Sequence, residues 1–126
     1  MQRKVHNAPG AVAVGPYSHA AESDTLIFLS GQTPIDPATG KLAEGDISAQ
    51  TNQCFNNLFA VLSEAGLSHG DVIKVNVYLT DMNDFAAMNA IYSTRFEKPY
   101  PARTTIGAAS LPLGAKVEIE MIARKK

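Results

Sequence analysis

Arg103 and the carboxylates that follow it are the residues whose types and spacing could do chemistry together. Arg103 stands in Tyr100-Pro101-Ala102-Arg103-Thr104-Thr105, where a proline-broken loop gives way to a β-prone run. Further on, Val117-Glu118-Ile119-Glu120-Met121 alternates acidic and apolar positions. A guanidinium grips a carboxylate through two parallel charge-assisted hydrogen bonds, a fork that lysine lacks. A glutamate can take a proton from water and return one to a departing nitrogen. Placed on the same polar sheet face, the two would bind a small organic acid and handle a water molecule. The same spacing also fits a plain ion pair between Arg103 and Glu118 or Glu120, and alternation alone does not say which glutamate is functional.

These side chains need elements to position them, and the hydrophobic pattern supplies candidates. Leu26 to Gly31 is a short apolar run of the kind a buried strand shows. Residues 7–17 hold Pro9, Gly10, Gly15 and Pro16, which predicts an extended or looped lead-in, and Thr33 to Gly40 is dense enough in turn formers to predict a loop. Ile47 to Ala65 reads as an amphipathic helix on Ile47, Cys54, Phe55, Leu58, Val61, Leu62 and Ala65, with Gly66 placed to end it. From Asp71 to Thr80 the period changes to two: Ile73, Val75, Val77 and Leu79 on one face, Lys74, Asn76 and Tyr78 on the other.

A second helix is predicted from about Asp84 to Phe96, with Asn83 as N-cap and Phe85, Met88, Tyr92 and Phe96 on its apolar stripe. Strands near 103–108 and 116–123 complete the chain. The order predicts an α+β domain of two layers spanning residues 1–126, a mixed sheet with two helices packed on one face. The opposite face would carry Lys74, Asn76, Tyr78, Arg103, Thr105, Glu118 and Glu120. Burial of part of it between subunits and an open, wet face are both compatible with that pattern.

The 126 residues suffice for one core without staples, and 45% hydrophobic with 18% charged residues is ordinary for a globular protein. With 12 acidic and 11 basic residues the net charge is −1, so the chain carries no basic footprint for nucleic acid and no field that steers it to a membrane. The apolar stretch Ala11–Val14 is cut off by Gly15-Pro16, short of the roughly 7–15 apolar residues of a secretory signal. A cytoplasmic location is the expectation, and the single Cys54 is compatible with it. His6, His19 and His69 have no metal-ligand spacing, and no phosphate-binding glycine loop is present, so neither metal nor cofactor is expected. Ser18 and His19 are adjacent and would point apart in a strand, which argues against a hydrolytic dyad.

Several segments together resemble the RidA family (YjgF-like reactive intermediate deaminases). They are Gly15-Pro16-Tyr17-Ser18, Ser30-Gly31-Gln32-Thr33-Pro34, the run from Asn76 to Phe85, Asn89-Ala90-Ile91-Tyr92, Tyr100-Pro101-Ala102-Arg103-Thr104 and Val117-Glu118-Ile119-Glu120. They follow the family's order and spacing across nearly the whole chain. The resemblance implies a chorismate-mutase-like α+β fold assembled as a homotrimer, with sites in the clefts between subunits. It implies hydrolysis of small imines or enamines, especially those of 2-oxo acids released by pyridoxal-phosphate enzymes such as threonine dehydratase. In that pattern Arg103 holds the substrate carboxylate, Glu118 positions or activates the water, and Tyr17 lines the pocket. Ser30, Gly31 and Asn89 match other site positions. Thr105 stands where many members carry a cysteine, a position the family uses through its backbone carbonyl, so activity is expected to survive.

Two other functions compete on the same residues. A non-catalytic module that senses a small carboxylate metabolite would use Arg103 and leave Glu118 without a proton to move. An endoribonuclease, an activity also attached to the family, would need the basic surface that the composition lacks.

Overall fold

In the computed structural model, which describes residues 3–9 and 15–126, the alternating apolar positions are gathered onto one face of a six-stranded sheet. The chain runs through β1 (Val5–His6), β2 (Ala20–Glu22) and β3 (Leu26–Gln32), then a small ladder of β4 (Ile35–Asp36) and β5 (Lys41–Leu42). Helix α1 (Ile47–Glu64), β6 (Val72–Leu79), α2 (Phe85–Arg95), β7 (Ala102–Gly107) and β8 (Val117–Arg124) follow. The large sheet has the order β1-β2-β3-β8-β6-β7, and among the described residues only the β6–β7 pairing is parallel, so the sheet is mixed as expected. Of the lead-in predicted across residues 7–17, residues 10–14, which include the apolar Ala11–Val14, lie outside the described residues.

Helix α1 forms where its stripe predicts. The Asp46 carboxylate caps its start by accepting from the Ala49 N–H at 3.1 Å. At the other end Gly66 takes φ +75°, which lets its N–H reach the Ser63 carbonyl and the Leu67 N–H reach that of Leu62. Ile47, Cys54, Phe55, Leu58, Val61 and Leu62 are buried against Ile27, Leu29, Val75, Val77, Leu79, Val117, Ile119 and Met121 of the sheet. Helix α2 adds Met88 and Tyr92, with Phe96 buried just beyond its end. Arg95 ties the two helices together: its Nη2 donates to the Asn52 and Asn56 side-chain oxygens at 2.9 Å each, and its Cζ lies over the Phe55 and Phe59 rings.

The structure corrects four expectations. Ile73 is not on the core face; the β6–β8 register slips between Val72 and Lys74, so Val72 is buried while Ile73 is 42% exposed. Asn83 does not cap α2. It lies in a 3-10 turn, Met82–Asp84, where its own N–H donates to the Asp81 carboxylate at 2.9 Å, and α2 starts after Asp84. The Thr33–Gly40 segment is more ordered than a loop, since Ile35 and Asp36 pair with Leu42 and Lys41 around a turn. Finally, Arg103 and Thr105 do not share a face with Glu118. They pair with Val75 and Val77 and so point to the helix side, whereas Glu118 and Glu120 pair with Tyr78 and Asn76 on the opposite face.

The slip in β6 yields a test within one strand. Leu79→Ala, at a site with no exposure, should cost about 2–5 kcal/mol in denaturant unfolding. Ile73→Ala should cost less than about 1.5 kcal/mol, because its side chain is already half in solvent. Equal losses would mean that Ile73 and not Val72 belongs to the core.

Candidate active site

The two chemical groups occupy separate clefts on opposite faces of the sheet. One, of about 420 Å³, is lined by Asn89, Tyr92, Ser93, Tyr100, Pro101 and Arg103. The other, of about 240 Å³, is lined by Tyr17, Ser30, Gly31, Thr33, Pro112 and Glu118. Each of the two holds part of the residue set expected from the sequence, and neither holds both Arg103 and Glu118.

Arg103 is placed by β7 at the edge of the sheet and gripped by α2. Its Nη1 donates to the Asn89 Oδ1 at 2.7 Å, and its Cζ lies 4.5 Å from the Tyr92 ring centroid and 5.6 Å from that of Phe85. All three partners are neutral, and among the described residues no carboxylate pairs with this guanidinium. The ion pair with Glu118 or Glu120 that the spacing allows is therefore not formed. Phe85 and Tyr92 as arginine neighbours were not legible in the sequence, where both read as core; the signal was their common stripe with Asn89 on α2. Thr105 follows on the helix side opposite Val77, with its hydroxyl buried and without a hydrogen-bond partner among the described residues.

The second cleft is shaped by a bulge. Leu29 pairs with Met121 and Gln32 with Ile119, so Ser30 and Gly31 together face a single residue of β8. A Cβ at Gly31 would overlap the Glu118 Oε2 and lie 3.1 Å from its Cδ. Glycine there is what lets the carboxylate sit against the strand. The Ser30 hydroxyl donates to the Ser18 carbonyl at 2.7 Å and the Ser30 N–H to that of His19 at 2.9 Å, which hold the Tyr17-bearing segment along β3. His19 itself is a core residue: its Nδ1 accepts from the Ala8 N–H at 3.1 Å, and burial lowers its pKa. It makes no dyad with Ser18.

Glu118 and Glu120 share a face but not an environment. Glu120 accepts from the Asn76 Nδ2 at 3.1 Å and is hydrogen-bonded to Tyr78. Glu118 faces the cleft half-buried, and burial pushes its carboxyl above the ordinary glutamate range, with the Glu120 charge adding to the effect. A carboxylate raised in this way is a stronger base and holds a proton to higher pH, which is what a group that shuttles protons requires. Among the described residues no cluster of His, Cys, Asp or Glu has the arrangement of a metal site, and no helix is long and apolar enough to cross a membrane.

Known proteins carry the same chain design. Residues 6–125 match the family described as Endoribonuclease L-PSP. A RutC family protein of Pyrococcus horikoshii is 48% identical over 120 residues, covering 95% of this chain and 94% of its own. The 2-iminobutanoate/2-iminopropanoate deaminase of Mus musculus is 40% identical over 123 residues, covering 98% of this chain and 91% of its own. Among solved structures, that of E. coli TdcF with bound serine superposes with a TM-score of 0.91 at 38% identity, covering 98% and 99% of the two chains. The two-helix, mixed-sheet architecture is shared with that solved structure.

The electrostatics of the second cleft lead to a titration experiment. Glu120→Gln removes the like charge but not the burial, so the Glu118 midpoint should fall and still stay above that of an exposed glutamate. Carbon-13 NMR of the side-chain carboxyl would follow it. An unchanged midpoint would show that the two carboxylates do not sense one another.

Proposed function

We propose that this chain, which belongs to the Endoribonuclease L-PSP family, hydrolyses imines and enamines of small 2-oxo acids, releasing ammonia and the 2-oxo acid. The observation that carries the reading is the pair of half-sites: a guanidinium with only neutral partners in one cleft, and a half-buried, raised carboxyl in the other. Arg103 holds the substrate carboxylate. Glu118 takes a proton from water as it adds to the C=N carbon and returns one to the nitrogen as ammonia leaves the carbinolamine. Free imines already hydrolyse in water, so orientation and one proton carrier suffice, and no nucleophilic residue is needed. The names of the mouse relative and of the serine-bound E. coli protein support a small carboxylic acid as the ligand class.

The reading requires the two half-sites to meet, and we propose that they meet between subunits of a homotrimer. Phe28 and Ile106 stand about half exposed beside Lys74, Asn76, Tyr78 and Glu120 on the sheet face opposite α1 and α2. Large apolar side chains among paired polar ones suit an interface with another copy. Tyr17, Ser30 and Gly31 would then line the pocket from the Glu118 side, and Asn89 and Arg103 from the other, with Thr105 entering through its backbone carbonyl. A cytoplasmic location fits a task of scavenging intermediates that metabolic enzymes release. A carboxylate-sensing module would use the Arg103 cleft alike and differ at Glu118.

The test generates 2-iminobutanoate in place with threonine dehydratase and traps it with semicarbazide. Wild type should shorten the imine's lifetime, and Arg103→Ala and Glu118→Gln should each lose about 100-fold or more in activity. Glu118→Gln should still bind 2-oxobutanoate. Mixing the two inactive variants, unfolded and reassembled together, should restore about a quarter of the sites if each combines residues of two copies. Folded wild type that accelerates the loss of no imine in a short panel would sink the deaminase in favour of the sensing module. Mixed subunits without recovery would sink the shared site.

A further inference from the structure

We propose that Tyr92 is a positioning residue for the Arg103 guanidinium, and that its ring face sets how tightly the cleft binds small carboxylates. Helix α2 presents Phe85, Asn89 and Tyr92 along one stripe, and all three converge on Arg103. A stacked guanidinium keeps its in-plane N–H edge available, the edge that forks onto a carboxylate. Asn89 takes one N–H of Nη1, so among the described residues Nη2, Nε and the second Nη1 hydrogen are left for a ligand.

The ring cannot swing away from this task. Tyr92 is 4% exposed, and its ring centroid lies 5.1 Å from that of Phe96 and 5.8 Å from that of Phe55. Its hydroxyl is buried and finds no hydrogen-bond partner among the described residues, so the phenol oxygen does not explain a tyrosine here and the aromatic face does. Arginine loses much rotamer freedom when it is fixed, and a site that fixes it beforehand spares the ligand that cost. The proposal rests on the Arg103 cleft as the carboxylate subsite of the reading above, but not on turnover.

The experiment measures the Kd for 2-oxobutanoate by calorimetry, together with KM and kcat for the imine, on the full-length chain. Tyr92→Leu keeps apolar bulk and removes the ring; Kd and KM should rise roughly ten-fold, the size of a desolvated cation–π contact, with kcat altered less than about three-fold. Tyr92→Phe keeps the ring and should restore both constants. A merely structural role would lower thermal stability and leave Kd and KM in place, and that result in folded Tyr92→Leu overturns the proposal. So does a Tyr92→Phe protein as weak as Tyr92→Leu, since the effect would then belong to the hydroxyl. If Tyr92→Leu does not fold, Phe85→Leu decides: a rise of about two- to three-fold supports the aromatic cradle, and an unchanged Kd overturns it. Wild type that binds 2-oxobutanoate without accelerating imine loss overturns the deaminase and leaves Tyr92 to be judged on Kd alone. Wild type that neither binds nor turns over overturns both.

Discussion

The parallel register between β6 and β7 is the constraint from which the chemistry of this chain follows. It sets Arg103 opposite Val75 and Thr105 opposite Val77, on the face covered by the helices. A slip of one residue would turn Arg103 to the other face, opposite Asn76, whose β8 partner is Glu120. There the guanidinium would meet carboxylates of its own subunit, pair with them and hold their pKa values down. With the observed register the sheet itself separates the charges, so each keeps its capacity for an outside partner.

What surrounds each charge preserves that capacity. Arg103 is held by an amide oxygen and two aromatic faces, none of which neutralises it. On the far side Asn76 and Tyr78 engage Glu120, so that of two alternating glutamates one is occupied and the other faces the cleft. The Ser30–Gly31 bulge makes room for Glu118 at a point where any side chain would collide with it. The distinction between Glu118 and Glu120, which alternation cannot make, is thus made by cross-strand partners.

Most elements were legible because each repeats one period long enough to be read. The α1 stripe, its Gly66 terminator and the alternation of β8 all stand as the pattern predicts. Where the pattern failed, a local event had reset the count. A bulge shifts β6 by one position and exposes Ile73, and a 3-10 turn capped by Asp81 takes the place that Asn83 was given. The face of Arg103 was misread for another reason. In β7 a half-buried arginine points inward while Ile106 points out, the reverse of the usual pattern, so that strand's own residues give no correct sense of its faces. Only the register against Val75 fixes them, and register between distant segments is not written in either one.

The same geometry bears on the endoribonuclease activity that the family's description names. A phosphodiester is an anion too, so Arg103 by itself does not distinguish RNA from a small acid. The number of cations does. Binding a nucleic acid takes several lysine or arginine contacts spread along successive phosphates, and the affinity comes from the counterions they release. The residues lining the Arg103 cleft include one cation among aromatic, amide, hydroxyl and proline neighbours, and the chain's net charge is −1. The cleft with Glu118 brings a carboxylate and no basic side chain among its lining residues, which would repel a phosphate brought near it. If Arg103 and Glu118 act as proposed, one fork and one proton carrier would match a ligand with a single carboxylate whose reacting carbon lies next to it, and a small imino acid has that form.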